Sequence, residues 1–157
     1  MTGLLSGQTA LVTGAGQGLG RAIAGEMAAE GAHVVLLDRS PTTVTKAAAD
    51  IRAAGHSAEG HALDVTDADG YQSLVTDVAA RRGIDVLVNN AGINPPARTI
   101  LEDTQADWDR TIAVNLEAVW RGSKLVAPHM AAKGQGRIIH IASIQGFVAS
   151  GKCGPYN

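Results

Sequence analysis

The sequence is short of the residues that several structural classes need. Cys153 is its only cysteine, which excludes a disulfide scaffold and suits a reducing compartment. Aromatic residues make up 3% of the chain, so the core must be aliphatic. No run reaches the ~20 apolar residues of a membrane span. The stretch from Met1 to Gly7 lacks the basic flank and long apolar run of a signal peptide. Thirteen Lys and Arg against fifteen Asp and Glu leave a formal charge of −2, no general footprint for nucleic acid. With 45% apolar and 18% charged residues, disorder is excluded too. The expectation is a soluble cytoplasmic protein whose 157 residues form one domain, large enough to bury roughly 70% of its unfolded surface. The excess lies in glycine, with nineteen residues.

Five short apolar runs alternate with segments of helical period. Thr9–Thr13, His33–Asp38, Ala58–Val65, Asp85–Asn89 and Arg137–Ile141 read as strands. The second is nearly continuous in aliphatics, as in a strand covered on both faces. Leu19, Ile23 and Met27 repeat every four residues before a stop at Gly31. Ser40 and Pro41 read as an N-cap and first helical residue of a segment to Ala54. Thr66 with Asp69 predicts a capping box ahead of Leu74, Val75 and Val78. Thr104 with Asp107 predicts the start of a long helix towards Lys133, bent at Pro128. This alternation implies parallel strands joined by right-handed crossovers, an α/β doubly wound sheet. Pro95-Pro96 marks a loop inside the domain, and no repeat, low-complexity tract or linker divides the chain.

Thr13-Gly14-Ala15-Gly16-Gln17-Gly18-Leu19-Gly20 joins the first strand to the first helix. Glycine there permits a tight turn and a close approach of a diphosphate, with helix N–H groups and dipole facing it. A glycine-rich turn without a ligand is the plainer alternative. The G-x-G-x-x-G spacing fails because Leu19 occupies its last position; T-G-x-x-x-G-x-G fits, through Thr13, Gly14, Gly18 and Gly20. That pattern resembles the short-chain dehydrogenase/reductase family, whose fold is of the Rossmann type.

Other stretches extend the resemblance. Asp38 lies eighteen residues beyond Gly20, where a carboxylate accepts hydrogen bonds from adenosine ribose hydroxyls and repels a 2′-phosphate. Arg39 beside it is a residue type that accommodates NADP, so NAD is favoured as cofactor and NADP stays open. Asp64-Val65 resembles the family's adenine-contacting pair. Asn89-Asn90-Ala91-Gly92 is an ordinary turn sequence; in the family such a run ties the sheet together beside the cofactor. The implied cofactor set is Thr13, Gly14, Gln17, Gly18, Leu19, Gly20, Asp38, Arg39, Asp64, Val65, Asn90, Ala91 and Gly92.

The long helix carries a stripe at Trp108, Ile112, Asn115, Val119 and Val126, in which Asn115 is the polar anomaly. A buried amide needs partners: either nearby backbone satisfies it, or, as the resemblance implies, it holds the water of a proton relay. Ser143 and Tyr156 stand thirteen residues apart in a chain with two tyrosines, a spacing that matches the family's catalytic pair. The resemblance implies that Tyr156 exchanges a proton with the substrate oxygen, while Ser143 orients that oxygen. An isolated phenol has a pKa of ~10 and needs a nearby positive charge to act as a base at neutral pH. The family provides it in Y-x-x-x-K, and here that lysine position falls beyond Asn157.

The resemblance therefore covers nearly all of this chain but only part of a family member. The expectation is a piece lacking the last two strands and the tyrosine's helix, inactive alone, with Val86, Val88, Ile139 or their neighbours exposed. The five histidines show no metal-ligand clustering, so no metal site is expected; His140 is expected to point into packing. Cys153 reads as an incidental loop residue. The function implied is an oxidoreductase moving a hydride between a nicotinamide cofactor and a secondary alcohol or ketone, in a homodimer or homotetramer acting on a small-molecule substrate. A non-catalytic dinucleotide-binding module is the alternative.

Overall fold

The aliphatic runs form strands because their β-branched residues pack on both faces of one sheet. The structure is a computed structural model that describes residues 3–149, 151–152 and 154–156; Cys153 lies outside the described residues. The strands are β1 (Thr9–Thr13), β2 (His33–Asp38), β3 (Ala58–Ala62), β4 (Val86–Asn89) and β5 (Arg137–His140). All pairings are parallel, in the order β3-β2-β1-β4-β5. The chain winds outward from β1 to β3, then crosses back to β4. A topological switch point thus stands between β1 and β4, where ligands enter such sheets at the carboxyl ends of the strands.

Alternation along each strand builds two cores. Ala10, Val12, Val34, Leu36, Val86 and Val88 face α1 (Gly18–Ala29) and α2 (Pro41–Ala53). Leu11, Val35, Leu37 and Leu87 face α3 (Ala68–Arg82) and α5 (Ala118–Lys133). Ser40 caps α2 as the sequence predicts, accepting from the Thr43 N–H with Pro41 in the first turn.

Several local expectations are corrected. In α1 the buried residues are Gly20, Ala24 and Ala28, whereas Leu19 is 57% exposed and Ile23 and Met27 are only partly buried. Small residues let the helix lie close on the sheet and push the larger ones to its margins. The cap of α3 is Asp67, which accepts from the Gly70 N–H; Thr66 instead donates from both N–H and hydroxyl to Asp64. Val86 and Val88 are buried, because the α1 side chains cover that face. Exposure falls on and beyond β5, with Ile139 at 42% and Ile141 at 40%. His140 is exposed, its Nδ1 lying 3.1 Å from the Asn89 Nδ2.

The long helix is interrupted at a point that no residue pattern marks. α4 (Gln105–Ile112), capped by Thr104, passes through a π-helical turn at Ala113–Glu117 into α5. The helix continues unbroken through Pro128. The extra residue of a π turn rotates the face that follows, and the buried stripe becomes Thr111, Ala118, Gly122, Val126 and Met130. Trp108 is 48% exposed and lies off that stripe.

At the outer edge, His33 Nδ1 lies 2.7 Å from the Ser57 hydroxyl, and its Nε2 is 3.8 Å from the Glu59 carboxylate. Burial, then the Arg82 charge, pushes the His33 imidazole below its ordinary value of 6.5. Burial acts to raise the Glu59 carboxyl, but the Arg81 hydrogen bond and charge hold it below its ordinary value. Below pH 6.5 the unfolded chain takes up a proton at His33 before the folded chain does, so acidification destabilises the fold. His33→Gln is expected to flatten the fall in urea midpoint from pH 6.5 down through the lowered folded value. An unchanged slope would show that other groups set it.

Candidate functional site

The first βα turn is shaped by two glycines. Gly14 has φ +62°, and a Cβ there would stand 2.9 Å from the Ala91 Cα. Gly20 packs against the Asn90 amide and the Gly14 carbonyl, leaving no room for a side chain. Gln17 precedes α1 without a side-chain cap bond, so the first-turn N–H groups keep their donor capacity for a ligand.

A hydrogen-bonded staple fixes this turn to β4. The Thr13 hydroxyl accepts from the N–H groups of Asn90 (3.0 Å) and Ala91 (2.9 Å). In return the Asn90 amide donates to the carbonyls of Thr13 (2.9 Å) and Gly14 (3.2 Å). Asn89 reaches the other way, donating to Ser123 at 3.3 Å. The Asn-Asn pair therefore ties β1 to β4 and β4 to α5.

A cleft of about 720 Å³ opens over the carboxyl ends of the strands. All residues expected at a cofactor line it except Thr13, which is buried beneath, and Gly18, which shapes the turn at φ +54°. Asp38 accepts from Gly16 N–H through one oxygen and from Ser40 N–H through the other, both at 3.0 Å. A carboxylate has about four acceptor sites, so two remain for a ligand. The hydrogen bonds from Thr66 backbone and hydroxyl, then the charges of Arg39 and Arg110, hold the Asp64 carboxyl below its ordinary range. Sequence reasoning missed Leu63, Thr66, Ile93 and the α4 side of the cleft, including Asp109 and Arg110. The signal for Arg110 was its place on the same helical face as Ala106, Ala113 and Val114, four and three residues away.

The three residues expected in catalysis lie apart from this lining. Asn115 sits in the π turn and is satisfied by backbone, accepting from Ile93 N–H at 2.9 Å and donating to Ile93 C=O at 2.8 Å. Ser143 follows β5 and accepts from the Gln145 N–H at 3.2 Å. Tyr156 ends a 3-10 turn, Gly154–Tyr156, that packs against α4. No hydrogen bond joins Asn115, Ser143 and Tyr156 to one another among the described residues.

The volume lies within the range of small-molecule and cofactor sites. The uncapped helix start suits a diphosphate, and the spare Asp38 acceptors suit a diol. A dinucleotide thus fits the residues present.

Known proteins share this arrangement. A profile for short chain dehydrogenases matches residues 8–157. The dehydrogenase/reductase SDR family member 4 of Mus musculus is 36% identical over 98% of this chain and 55% of its own length. Gluconate 5-dehydrogenase of Gluconobacter oxydans is 39% identical over 97% of this chain and 59% of its own. The chain thus spans little more than half the length of these relatives. Among solved structures, a metagenomic short-chain oxidoreductase in complex with NADP superposes with a TM-score of 0.93 at 40% identity, over 97% of this chain and 69% of that one. An NAD+-bound xylitol dehydrogenase gives 0.93 at 31% identity, over 98% and 59%. The glycine turn, the β1–β4 staple, the sheet order and these matches agree: the chain belongs to the short-chain dehydrogenase/reductase family.

Proposed function

We propose that this chain forms the cofactor-binding part, and contributes active-site residues, of an oxidoreductase that interconverts a secondary alcohol and a ketone with NAD as the favoured cofactor. The cleft over the switch point carries the reading, because it joins an uncapped helix start to a ribose-accepting carboxylate. A bound nicotinamide would supply the hydride for reduction or accept it in oxidation. The chain's own residues hold and orient the reactants. The N–H groups at the start of α1 face the diphosphate. Asp38 accepts from the adenosine ribose, and Asn90, Ala91 and Gly92 wall the half of the cleft nearer β4. Ser143 donates to the substrate oxygen, and Tyr156 gives that oxygen a proton in reduction or takes it in oxidation. Asn115, locked onto Ile93, holds the adjoining loop in place.

The cofactor choice is tested at Asp38. The unmodified protein is expected to bind NAD more tightly than NADP. Asp38→Ala is expected to weaken NAD by about ten- to a hundredfold through loss of charge-assisted hydrogen bonds, narrowing or reversing the preference, with Arg39 then free to meet the phosphate. Titration calorimetry with both cofactors measures this. Equal or tighter binding of NADP by the unmodified protein sinks the NAD assignment.

A further inference from the structure

Asn89, Ser123 and His140 meet where the ends of β4 and β5 pack against α5, and none of them lines the cofactor cleft. Their bonds fix which atom of each group carries hydrogen. The Ser123 hydroxyl donates its one proton to the Val119 carbonyl at 2.7 Å, so towards Asn89, at 3.3 Å, it can only accept. The part of the Asn89 amide that faces it is therefore the NH2 and not the oxygen. The same NH2 lies 3.1 Å from His140 Nδ1. An NH2 group only donates, so Nδ1 must be bare and the ring neutral, its proton on Nε2.

A protonated ring would set an N–H against that NH2. Turning the amide over relieves the conflict only if Ser123 gives up Val119. The other titratable or charged side chains on the packed elements are engaged or stay neutral. Burial pushes the Tyr71 phenol of α3 above its ordinary value. On α5, Arg121 donates to the Val65 carbonyl, Lys124 lies over the Trp120 ring, and Lys133 pairs with Asp85 at the far end of β4. No ion pair includes His140 among the described residues.

The contact matters because β5 delivers Ser143. His140 is the last residue of β5 and stands opposite Asn89 in the register. The next N–H, that of Ile141, donates to the Asn89 backbone carbonyl at 2.9 Å, and Ser143 follows two residues later. Asn89 thus holds the end of β5 through both backbone and side chain, and the side-chain hold exists only with a neutral ring.

Resting on the alcohol–ketone reading above, we propose that His140 is a positioning residue for that reaction: its neutral imidazole, accepting from Asn89, holds the end of β5 so that Ser143 meets the substrate oxygen. Protonation of the ring opens this hold and lowers turnover while cofactor binding persists.

The experiment follows reduction of a panel of alkyl and aryl ketones, including cyclohexanone and acetophenone, by the whole protein with saturating NADH. It spans about pH 5 to 8, where imidazole changes charge, for the unmodified protein, His140→Leu and His140→Asn. Reduction is the direction to use, because Tyr156 acts there in its protonated form and adds no loss on the acid side. Leucine removes the acceptor, whereas asparagine offers an amide oxygen near the place of Nδ1 and does not titrate. His140→Leu is expected to lower kcat by about three- to tenfold at the alkaline end, the worth of one such hydrogen bond, with NADH affinity unchanged. The unmodified protein should lose a similar factor towards the acid end. His140→Asn should recover most of the rate and hold it across the range. Full turnover in His140→Leu overturns the proposal, and so does an acid-side fall that His140→Asn retains. If the unmodified protein binds NADH but reduces no ketone of the panel, the alcohol–ketone reading itself fails and takes this one with it.

Discussion

Tyr156→Phe is expected to lower turnover of the whole protein by about a hundred- to ten-thousandfold, the usual contribution of a positioned acid or base, while NAD binds as before. The substitution deletes one oxygen and keeps the ring, so the 3-10 turn and its packing against α4 persist. Tyr156 does not line the cleft, which is why cofactor affinity is a fair control. Ser143→Ala is expected to reduce turnover as well, but it also removes the cap on the Gln145 N–H. Ser143→Thr keeps a hydroxyl in place and should recover part of the rate. Steady-state rates on a panel of secondary alcohols, paired with NAD titrations, separate the two effects. Near-normal turnover of Tyr156→Phe would show that the proton comes from elsewhere.

The largest expected effect on stability lies at Thr13, away from any substrate. Thr13→Val is close to isosteric, and Thr13 is only 2% exposed. Its hydroxyl is the acceptor for two backbone N–H groups, those of Asn90 and Ala91. Valine offers them nothing, and leaving two partly buried donors unpaired costs about 2–4 kcal/mol in all. Thr13→Ser keeps the oxygen and should lose much less. Urea unfolding decides it: the Val midpoint should fall with an unchanged slope, the mark of lost stability alone. NAD affinity should fall with it, since the staple also sets the Gly14 carbonyl through Asn90. A Val variant as stable as the Ser variant would mean that the loop finds other acceptors.

Much of this architecture is legible in the chain because local and global preferences coincide. His33–Asp38 is aliphatic on successive residues and becomes a strand covered on both faces; Ser40-Pro41 fixes the start of α2 by local chemistry alone. The glycine turn by its spacing, and the Asn-Asn run by its family resemblance, point to the cleft. Features set by tertiary packing stay hidden. Leu19 looks like a core residue by period, yet α1 approaches the sheet through Gly20, Ala24 and Ala28. The π turn that carries Asn115 has no composition signature, and it moves Trp108 off the buried stripe. Arg110 belongs to no motif, and only the folded position of α4 brings it to the cleft lining. Thr66 could cap α3, but the neighbouring Asp64 carboxylate is a stronger acceptor for its hydroxyl, and Asp67 takes the cap.

The staple between Thr13 and Asn90 joins residues 77 positions apart. The first βα unit therefore cannot lock its own glycine turn while it emerges from the ribosome. At about 5–20 residues per second the interval between making Thr13 and making Asn90 is roughly 4–15 s. During it, β1 lacks its β4 neighbour, and the Thr13 carbonyl and hydroxyl have only water to meet them. Competence to bind a dinucleotide thus arrives late and in one step, when β4 inserts beside β1. A nascent chain halted before residue 90 should be unable to retain the cofactor, however well its glycine turn is spelled.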